Sequence, residues 1–447
     1  MLLNLFTQCS PSPQLAGQWR HEADRTATGY RSLQYWMDLA RQLEGACLDA
    51  LFFADTHGIF DVYQGSWVAA VREGVQVPSI DPVLVIPAAA AVTRQLGFAV
   101  TYSTSYHSPY QCARVFSSLD HLTGGRIGWN IVTTLSASAR ANGLGDFLPH
   151  DERYERADEY VEIVRRLWEE SWEEEAVRRD AVANVFTDPA RVRELRHEGK
   201  HFNIRGPHQS EPSPQRTPVL YQAGASGRGL QFAARHAEVV FVSLADLRDG
   251  AAMVTELRSA AQRCGRAPDS IKVLLGGVLL IGRDQEEVRA KARLASELMG
   301  AEGDLAKWSG WTGFDVGGYP PGTLVREIRS EASQSVLRML RAMDAIRDWT
   351  ISDLRSFIAL GRHFRRRNGF VGTPSEIADD MERWLAVGVD GFNLIPTPPT
   401  QATDDLCSLL VPELQRRGLF RKAYDPAERT LRERYFGAGR RCYGSQL

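Results

Sequence analysis

The alternation of short β-type runs with helical stretches is the feature that most constrains how this chain folds. Eight runs are rich in apolar and β-branched residues, and helical patterns lie between most of them. Strands that alternate with helices favour a parallel sheet, and eight such strands favour a closed (β/α)8 TIM-type barrel over an open doubly wound sheet. The predicted strands are Leu2–Phe6, Ala50–Ala54, Leu96–Thr101, Arg126–Val132, Pro218–Gln222, Glu238–Ser243, Ile271–Ile281 and Gly391–Ile395.

Helix-start signals support the helical half of this alternation. Asp284 is followed three residues later by Glu287, and Thr373 is followed in the same way by Glu376, and both pairs are capping-box signatures. Gly388 predicts the end of the second of these helices. A third segment carries apolar residues three and four positions apart. The sequence therefore predicts helices over 151–170, 284–298 and 373–387.

Three segments are too long to be plain connections of a barrel. Residues 57–95 are apolar and proline-containing, and we expect them to pack on the barrel mouth. Residues 172–217 are highly charged and are expected to face solvent, whereas 299–370, rich in glycine and aromatic residues, suits a hinged lid. We therefore predict one barrel domain over 1–447, with a polar tail from about 421 that wraps the surface or a partner subunit.

Composition narrows the class of protein. A net charge of −2 gives no electrostatic reason to expect nucleic acid or an anionic membrane as a partner. No apolar run approaches the roughly 20 residues that span a bilayer, and the first ten residues lack the basic start of a signal peptide. The six cysteines are scattered, without a Cys-x-x-Cys pair, which is typical of a reducing compartment. We expect a cytoplasmic protein without a metal site.

Polar residues follow three of the predicted strands, at the end where a parallel barrel keeps its chemistry. Asp55 comes directly after the second strand, where it is either a carboxylate at the mouth or a turn-forming residue. Thr101 and Ser103 belong to a run of hydroxyls that suits hydrogen bonding to a polar heterocycle or capping of the helix near Pro109. Asn130 lies in the fourth strand, and its amide can both donate to and accept from a ring carbonyl and a ring nitrogen.

Two helix starts suit a phosphate, because a helix N-terminus offers unpaired N–H groups and the positive end of its dipole. His150 precedes one helix, whose first turn also holds Tyr154. Acidic residues in that turn oppose an anion unless their side chains point away, and His150 by itself is more typical of a surface or capping histidine. Ser226 lies in the glycine-rich stretch 222–229, which is either a ligand-binding loop or an ordinary βα turn.

Other motifs point away from several enzyme classes. His21-Glu22 lacks the second histidine of a metalloprotease, and the sequence has no Gly-x-Ser-x-Gly elbow. It also lacks the Gly-x-Gly-x-x-Gly turn of a dinucleotide-binding fold. The basic run 362–367 is most simply a solvated helix face.

Several stretches together resemble the bacterial-luciferase-like superfamily. Within it, the chain is most similar to the group containing nitrilotriacetate, EDTA, dibenzothiophene-sulfone and dimethyl-sulfide monooxygenases. The resemblance is collinear over nearly the whole chain. Its main stretches are FFAD at 52–55, SLDHLTGGRIGWNIVTT at 118–134, HDERYERADEY at 150–160 and EPSPQRTPVLYQAGASGRG at 211–229.

This resemblance implies a TIM-type barrel that binds reduced FMN supplied by a separate NAD(P)H:flavin reductase. It also implies oxidation of a small sulfur- or nitrogen-containing compound by O2 through a flavin C4a-(hydro)peroxide, in a homodimer or homotetramer. Two alternatives remain: an F420-dependent oxidoreductase of the same superfamily and a non-catalytic flavin-binding protein. The absence of dinucleotide-binding glycines fits a system in which NAD(P)H binds elsewhere.

The resemblance also assigns roles to residues. His21 is implied near the substrate pocket, as the candidate catalytic residue. One departure is Tyr106-His107-Ser108 before Pro109, where many members carry an acidic or aromatic residue, so the substrate cannot be transferred from a named member. The residues expected to border the isoalloxazine are Asp55, Thr101, Ser103 and Asn130. Those expected to hold the ribityl phosphate end are His150, Tyr154 and Ser226.

Overall fold

The computed structural model describes residues 1–133, 142–143, 148–223, 227–243, 246–328, 348–359 and 369–443. Its strands are β1 (Leu2–Gln8), β2 (Ala50–Ala54), β3 (Gly97–Ser103), β4 (Ile127–Val132), β5 (Val177–Asp180), β6 (Val185–Thr187), β7 (Leu195–Glu198), β8 (Asn203–Gly206), β9 (Val219–Ala223), β10 (Val239–Val242), β11 (Lys272–Ile281), β12 (Gly369–Gly372) and β13 (Gly391–Pro396).

Eight of these strands form a closed parallel barrel. Around the ring the order is β1, β2, β3, β4, β9, β10, β11 and β13, and β13 pairs with β1 to close it. The short β12 pairs with β11 outside the ring. All eight predicted strands are present, and the predicted (β/α)8 TIM-type barrel is confirmed.

Helices surround the barrel. Within the described ranges, none of them combines the length and apolar character needed to cross a membrane. The helices are α1 (Thr26–Gly29), α2 (Leu33–Gly45), α3 (Val68–Arg72), α4 (Ile86–Ala91), α5 (Pro109–Thr123), α6 (His150–Glu169), α7 (Gly227–His236), α8 (Leu247–Arg263), α9 (Gln285–Leu298), α10 (Ala301–Thr312), α11 (Ile351–Ala359), α12 (Pro374–Ala386), α13 (Pro399–Asp405), α14 (Val411–Arg416) and α15 (Leu431–Phe436).

The two predicted capping boxes differ in the structure. At the start of α12, the Thr373 side chain accepts from the backbone N–H of Glu376, and the Glu376 carboxylate accepts in return from the Thr373 backbone N–H. At the start of α9, Asp284 caps the helix, but Glu287 accepts from the backbone N–H of Arg283. The signature at α9 therefore forms only the half of the box in which the N-cap side chain accepts from the helix backbone.

Aromatic side chains form a layer inside the barrel. Phe6 of β1 and Phe52 of β2 stack with their ring centroids 5.5 Å apart, and Phe241 of β10 lies 5.9 Å from Phe6. Because side chains alternate along a strand, residues two positions further on also face the lumen. Gln8 and Ala54 therefore lie above this layer, at the C-terminal rim.

The C-terminal segment closes the opposite end of the barrel. Helix α15 inserts Tyr435, whose hydroxyl lies 2.9 Å from Asn4 Oδ1 and 2.9 Å from the Tyr221 hydroxyl. Arg432 is 1% exposed and forms a two-bond ion pair with Glu238. The expectation that this segment wraps the surface or a partner subunit is wrong for α15, because Arg432 and Tyr435 of this helix are buried inside the molecule.

Two inserted segments pack on each other above the loop that follows β1. Ala306 of α10 belongs to an apolar cluster with Phe60. The Lys307 ammonium, buried with its ion-pair partner Asp304, donates to the backbone carbonyl of Gln14 over 2.8 Å. The described part of 299–370 is thus attached to the rim, and its action as a hinged lid stays a prediction.

The charged segment 172–217 contains two antiparallel hairpins, β5–β6 and β7–β8. Val182 at the tip of the first hairpin is fully exposed, and Phe186 is largely exposed. The first hairpin therefore faces solvent, as the charge of the segment predicts, whereas Gln215 and Thr217 near its end are buried.

Candidate active site

The predicted ring-binding residues lie on one arc of the barrel rim. Strands β2, β3, β4 and β9 are consecutive neighbours in the sheet. Asp55 directly follows β2, Thr101 and Ser103 lie at the end of β3, and Asn130 lies in β4. The C-terminal ends of parallel strands meet at one edge, so these residues are brought to the same side of the mouth.

Asn130 and Thr101 form the best-defined contact of this arc. They are paired in register across β3 and β4, and Asn130 Nδ2 donates to Thr101 Oγ1 over 2.8 Å. Each residue is only 4% exposed. Asn130 Oδ1 is buried and has no hydrogen-bond partner among the described residues. Such an unpaired acceptor is costly unless a ligand or water supplies a donor.

Gln8 is a rim residue that the sequence patterns did not indicate. Its Oε1 is also buried without a hydrogen-bond partner among the described residues, while its Nε2 lies 3.4 Å from Thr56 Oγ1. This contact connects the end of β1 to the residue after Asp55. The one feature of the sequence that could have indicated Gln8 is its position as a polar residue at the end of the first apolar run.

Ser103 has a local structural role in addition to its predicted one. Its Oγ accepts from the backbone N–H groups of Ser105 at 3.1 Å and Tyr106 at 3.3 Å. Helix α5 is capped instead by Ser108, whose Oγ accepts from Gln111. Ser103 therefore shapes the turn after β3 and does not cap the helix.

Asp55 is half-buried at the rim. Burial and, to a smaller extent, the nearby carboxylate of Asp81 raise the pKa of Asp55 to about 6, against the opposing effect of a hydrogen bond from the backbone of Thr56. A carboxyl with this pKa can hold or release a proton near neutral pH. The hydrogen bond to Thr56 also agrees with a turn-forming role, so both interpretations of Asp55 remain compatible with its position.

Tyr154 lies where α6 meets α7 and β4. Its ring centroid is 5.5 Å from that of Phe232 in α7, and its hydroxyl is hydrogen-bonded to Thr133, which follows β4. Burial raises the pKa of Tyr154 above its ordinary value. Tyr154 thus connects the first turn of α6 to the arc that holds Asn130.

Asp158 fixes the packing of α6 against α7. Its carboxylate accepts from His236 Nε2 over 2.8 Å and also pairs with Arg228 and Arg235. Burial alone would raise the pKa of Asp158, but the hydrogen bonds from His236 and Arg228 hold it below its ordinary value. The start of α7 is therefore held beside Tyr154.

Of the predicted phosphate-binding residues, His150 has a described backbone position and Ser226 does not. His150 begins α6, as predicted, and the neighbouring Asp151 side chain is exposed. That exposure weakens the objection that acidic side chains repel an anion there. Ser226 lies outside the described residues, between Ala223 at the end of β9 and Gly227 at the start of α7.

His21 lies on a different part of the rim. It follows a short 3-10 helix, Gln18–Arg20, and its Nδ1 accepts from the backbone N–H of Ala23 over 3.2 Å. The adjacent Asp24 accepts from Thr400 Oγ1. Because Thr400 follows β13, His21 is on the β1–β13 side and not on the arc from β2 to β9.

Four rings beside Asp55 form a continuous stack that the sequence did not predict. His57 stacks on Tyr106 with centroids 4.3 Å apart, and His107 stacks on Tyr102 at 3.8 Å. The two imidazoles meet edge to face at 5.7 Å. The unusual Tyr106-His107 pair in the sequence could have drawn attention to this position. Its partner His57 follows a different strand, so the sequence did not indicate that the rings stack.

Comparison with known proteins identifies a matching family. Residues 15–391 match the family described as "Luciferase-like monooxygenase". The chain belongs to this family. The match covers most of the barrel, from the loop after β1 to the first residue of β13.

The names of curated relatives of this luciferase-like monooxygenase refer to different substrates. It is 40% identical to the dimethyl-sulfide monooxygenase of Hyphomicrobium sulfonivorans over 442 residues, which cover 98% of this chain and 90% of the relative. It is 44% identical to the long-chain alkane monooxygenase of Geobacillus thermodenitrificans over 425 residues, with 95% and 91% covered. Both names identify oxidoreductases that incorporate oxygen, and this luciferase-like monooxygenase is an enzyme of the same type.

A solved structure shares the whole fold. Riboflavin lyase, whose crystal structure contains modified FMN and the substrate riboflavin, superposes on this luciferase-like monooxygenase with a TM-score of 0.91. The two are 35% identical, and the alignment covers 98% of this chain and 96% of that one.

Proposed function

We propose that this protein binds FMN at the arc formed by β2, β3, β4 and β9. With reduced FMN and O2 it oxidises a small organic compound that contains sulfur or nitrogen. The observation that carries this proposal is the buried Asn130 amide, which donates to Thr101 and leaves Oδ1 without a partner among the described residues. The flavin-containing riboflavin lyase structure, similar over nearly its whole length, supports a flavin as the ligand.

Two groups of residues would hold the two ends of FMN. Amide and hydroxyl groups at Thr101, Ser103 and Asn130, with the carboxyl of Asp55, suit the polar edge of the isoalloxazine. His150, Tyr154 and Ser226 would hold the ribityl phosphate, beside the helix starts of α6 and α7. When bound, reduced FMN supplies the electrons and the activation of O2.

The chain itself has three tasks in this reaction. The apolar layer below Gln8 and Ala54 gives the ring a water-poor floor, because Phe6 and Phe52 fill the lumen there. Asp55 provides a group that can hold a proton at the rim near pH 6. The inserted segment around Lys307 keeps the loop after β1 in place at the same mouth.

A separate flavin reductase completes the proposal. The sequence has no Gly-x-Gly-x-x-Gly turn for a nicotinamide dinucleotide, so reduced FMN would come from a partner that binds NAD(P)H. His21 lies on the neighbouring β1–β13 part of the rim. We propose it as a catalytic residue on the substrate side of the site. A cytoplasmic location and a homodimeric or homotetrameric state are further parts of it.

The test has a binding step and a turnover step. The protein is titrated with FMN and with F420, and then supplied with FMN, NADH, a general flavin reductase and ¹⁸O2 together with thioether and amine substrates. We expect FMN to bind more tightly than F420 and ¹⁸O to appear in one product. Preferential binding of F420 would identify a deazaflavin enzyme instead, and FMN binding with no oxidation of any substrate would identify a flavin-binding protein.

A further inference from the structure

The ring stack at the rim has no part in holding the flavin in the proposal above. It runs from Tyr106 to His57, from His57 to His107, and from His107 to Tyr102. The two end contacts are nearly parallel, with interplanar angles of 18° and 14°, and the middle contact is edge to face at 67°. Residues from two neighbouring strand ends therefore form one wall of π faces.

The stack is anchored at both ends. Tyr102 is buried, packs edge to face on Phe116 at 5.6 Å, and accepts at its backbone carbonyl from Trp129 Nε1 over 3.0 Å. At the other end, the backbone N–H of Tyr106 donates to Ser103 Oγ. These contacts fix both ends of the wall, while its three outer rings remain half-buried in the loops that follow β2 and β3 at the C-terminal end of the barrel.

The wall is uncharged and lies in a negative environment. Burial, with a smaller contribution from the neighbouring His57, lowers the pKa of His107 to about 4, so this imidazole is neutral at physiological pH. Burial also lowers the pKa of His57. The carboxylate of Asp81 acts electrostatically on both imidazoles, and Asp55 is two residues before His57.

We propose that His57, Tyr106 and His107 are specificity-determining residues that select uncharged thioethers over carboxylate-bearing analogues. This inference rests on the proposed function, because it describes the substrate of that same mouth. Sulfur next to aromatic faces and ring edges makes favourable contacts, and apolar chains lose little on leaving water for such a wall. A carboxylate would lose hydration beside neutral rings and be repelled by Asp55 and Asp81.

The test uses two substrates that differ only in charge: butyl methyl sulfide and (butylthio)acetate. Each is measured for kcat and KM with the FMN-supplied enzyme, and for binding by saturation-transfer NMR to the protein loaded with oxidised FMN. Three variants are compared with the natural protein. His107→Arg places a cation in the wall, His107→Phe keeps a neutral ring, and His121→Arg is a matched change on the exposed end of α5.

We expect the natural protein to prefer the thioether by at least tenfold in kcat/KM, with most of the difference in KM. His107→Arg should shift that ratio towards the carboxylate by at least tenfold, while His107→Phe and His121→Arg keep the thioether preferred. If His107→Arg does not fold, as judged by circular dichroism, His57→Arg replaces it with the same expectation.

Two results would overturn the inference: equal use of both substrates by the natural protein, or the same shift in His121→Arg as in His107→Arg. Failure of the proposed function looks different. In that case neither substrate is oxidised, and the NMR measurement still decides whether the wall discriminates by charge.

Discussion

Asn130 and Thr101 are joined by a 2.8 Å hydrogen bond across β3 and β4, and this bond leaves Asn130 Oδ1 buried without a partner among the described residues. Hydrogen bonds between side chains on adjacent strands usually satisfy both groups when they are buried. Here one acceptor remains, on a residue near the C-terminal end of β4. Removing that acceptor and measuring FMN binding is the most direct test of whether a flavin ring occupies the arc.

Replacing Asn130 by leucine should weaken FMN binding. The variant keeps a similar volume but removes the acceptor and the donor to Thr101, and the loss of one well-buried hydrogen bond corresponds to about tenfold in affinity. Quenching of FMN fluorescence measures the dissociation constant. Asn203→Leu, on exposed β8, is the matched control, and an equal loss in both variants would show that Asn130 does not contact the flavin.

Tyr154→Phe should reduce the preference for FMN over riboflavin. The substitution keeps the ring against Phe232 and removes the hydroxyl that is expected at the phosphate end. We expect FMN affinity to fall by about tenfold or more, the effect of one hydrogen bond to a charged group, with riboflavin affinity unchanged. Riboflavin, which lacks the phosphate, is the internal control. A parallel loss for both ligands would mean that Tyr154 only supports the packing of α6.

The fold and most of the site arc follow from local sequence patterns. Each barrel strand is a short apolar run bounded by turn residues, so its position can be predicted from local sequence although its hydrogen bonds go to distant strands. Because parallel strands end at one edge, polar residues at those ends necessarily converge. This is why the amino-acid sequence alone predicts that Asp55, Thr101 and Asn130 lie together.

The remaining features depend on contacts between residues far apart in the chain. Arg432 and Glu238 are 194 residues apart, and charged residues in a polar tail are normally expected at the surface. The contact between His57 and Tyr106 depends on how two loops turn after their strands, which side-chain periodicity does not encode. Gln8 was missed because one polar residue at a strand end forms no pattern.

The pH dependence of stability should reveal the proton on Asp55. Its pKa in the folded protein is raised from 3.8 to about 6, so the folded state binds more protons than the unfolded state between these values. Asp55 therefore contributes stability that is fully present below pH 3.8 and is lost as pH rises through about 6. Asp55→Asn stays neutral and avoids this loss.

Urea unfolding of the two proteins from pH 4 to pH 8 checks this prediction. The midpoint of Asp55→Asn should rise relative to the natural protein as pH increases, and the difference should level off above about pH 7. Thr56→Val, which alters the neighbouring side chain without a titrating group, should show a constant difference. A midpoint difference for Asp55→Asn that does not change with pH would contradict the raised pKa.

The buried ion pair between Arg432 and Glu238 should be strongly coupled. Arg432→Leu leaves the Glu238 carboxylate buried without its partner, and such a change costs about 3–5 kcal/mol of unfolding free energy. Glu238→Leu should cost a similar amount, because the guanidinium would keep only the carbonyls of Thr217 and Pro218. The double variant should recover much of this loss, since no isolated charge remains.

A double-mutant cycle by urea unfolding measures that coupling. The exposed pair of Arg263 and Glu256 is the control, and its coupling should stay below about 1 kcal/mol because solvent screens both charges. Since α15 closes the end of the barrel opposite the arc, Arg432→Leu should also leave the FMN affinity of the remaining folded protein unchanged. A double variant as unstable as the sum of the two single ones would show that the two charges do not act as a pair, and that packing of α15 alone closes the barrel.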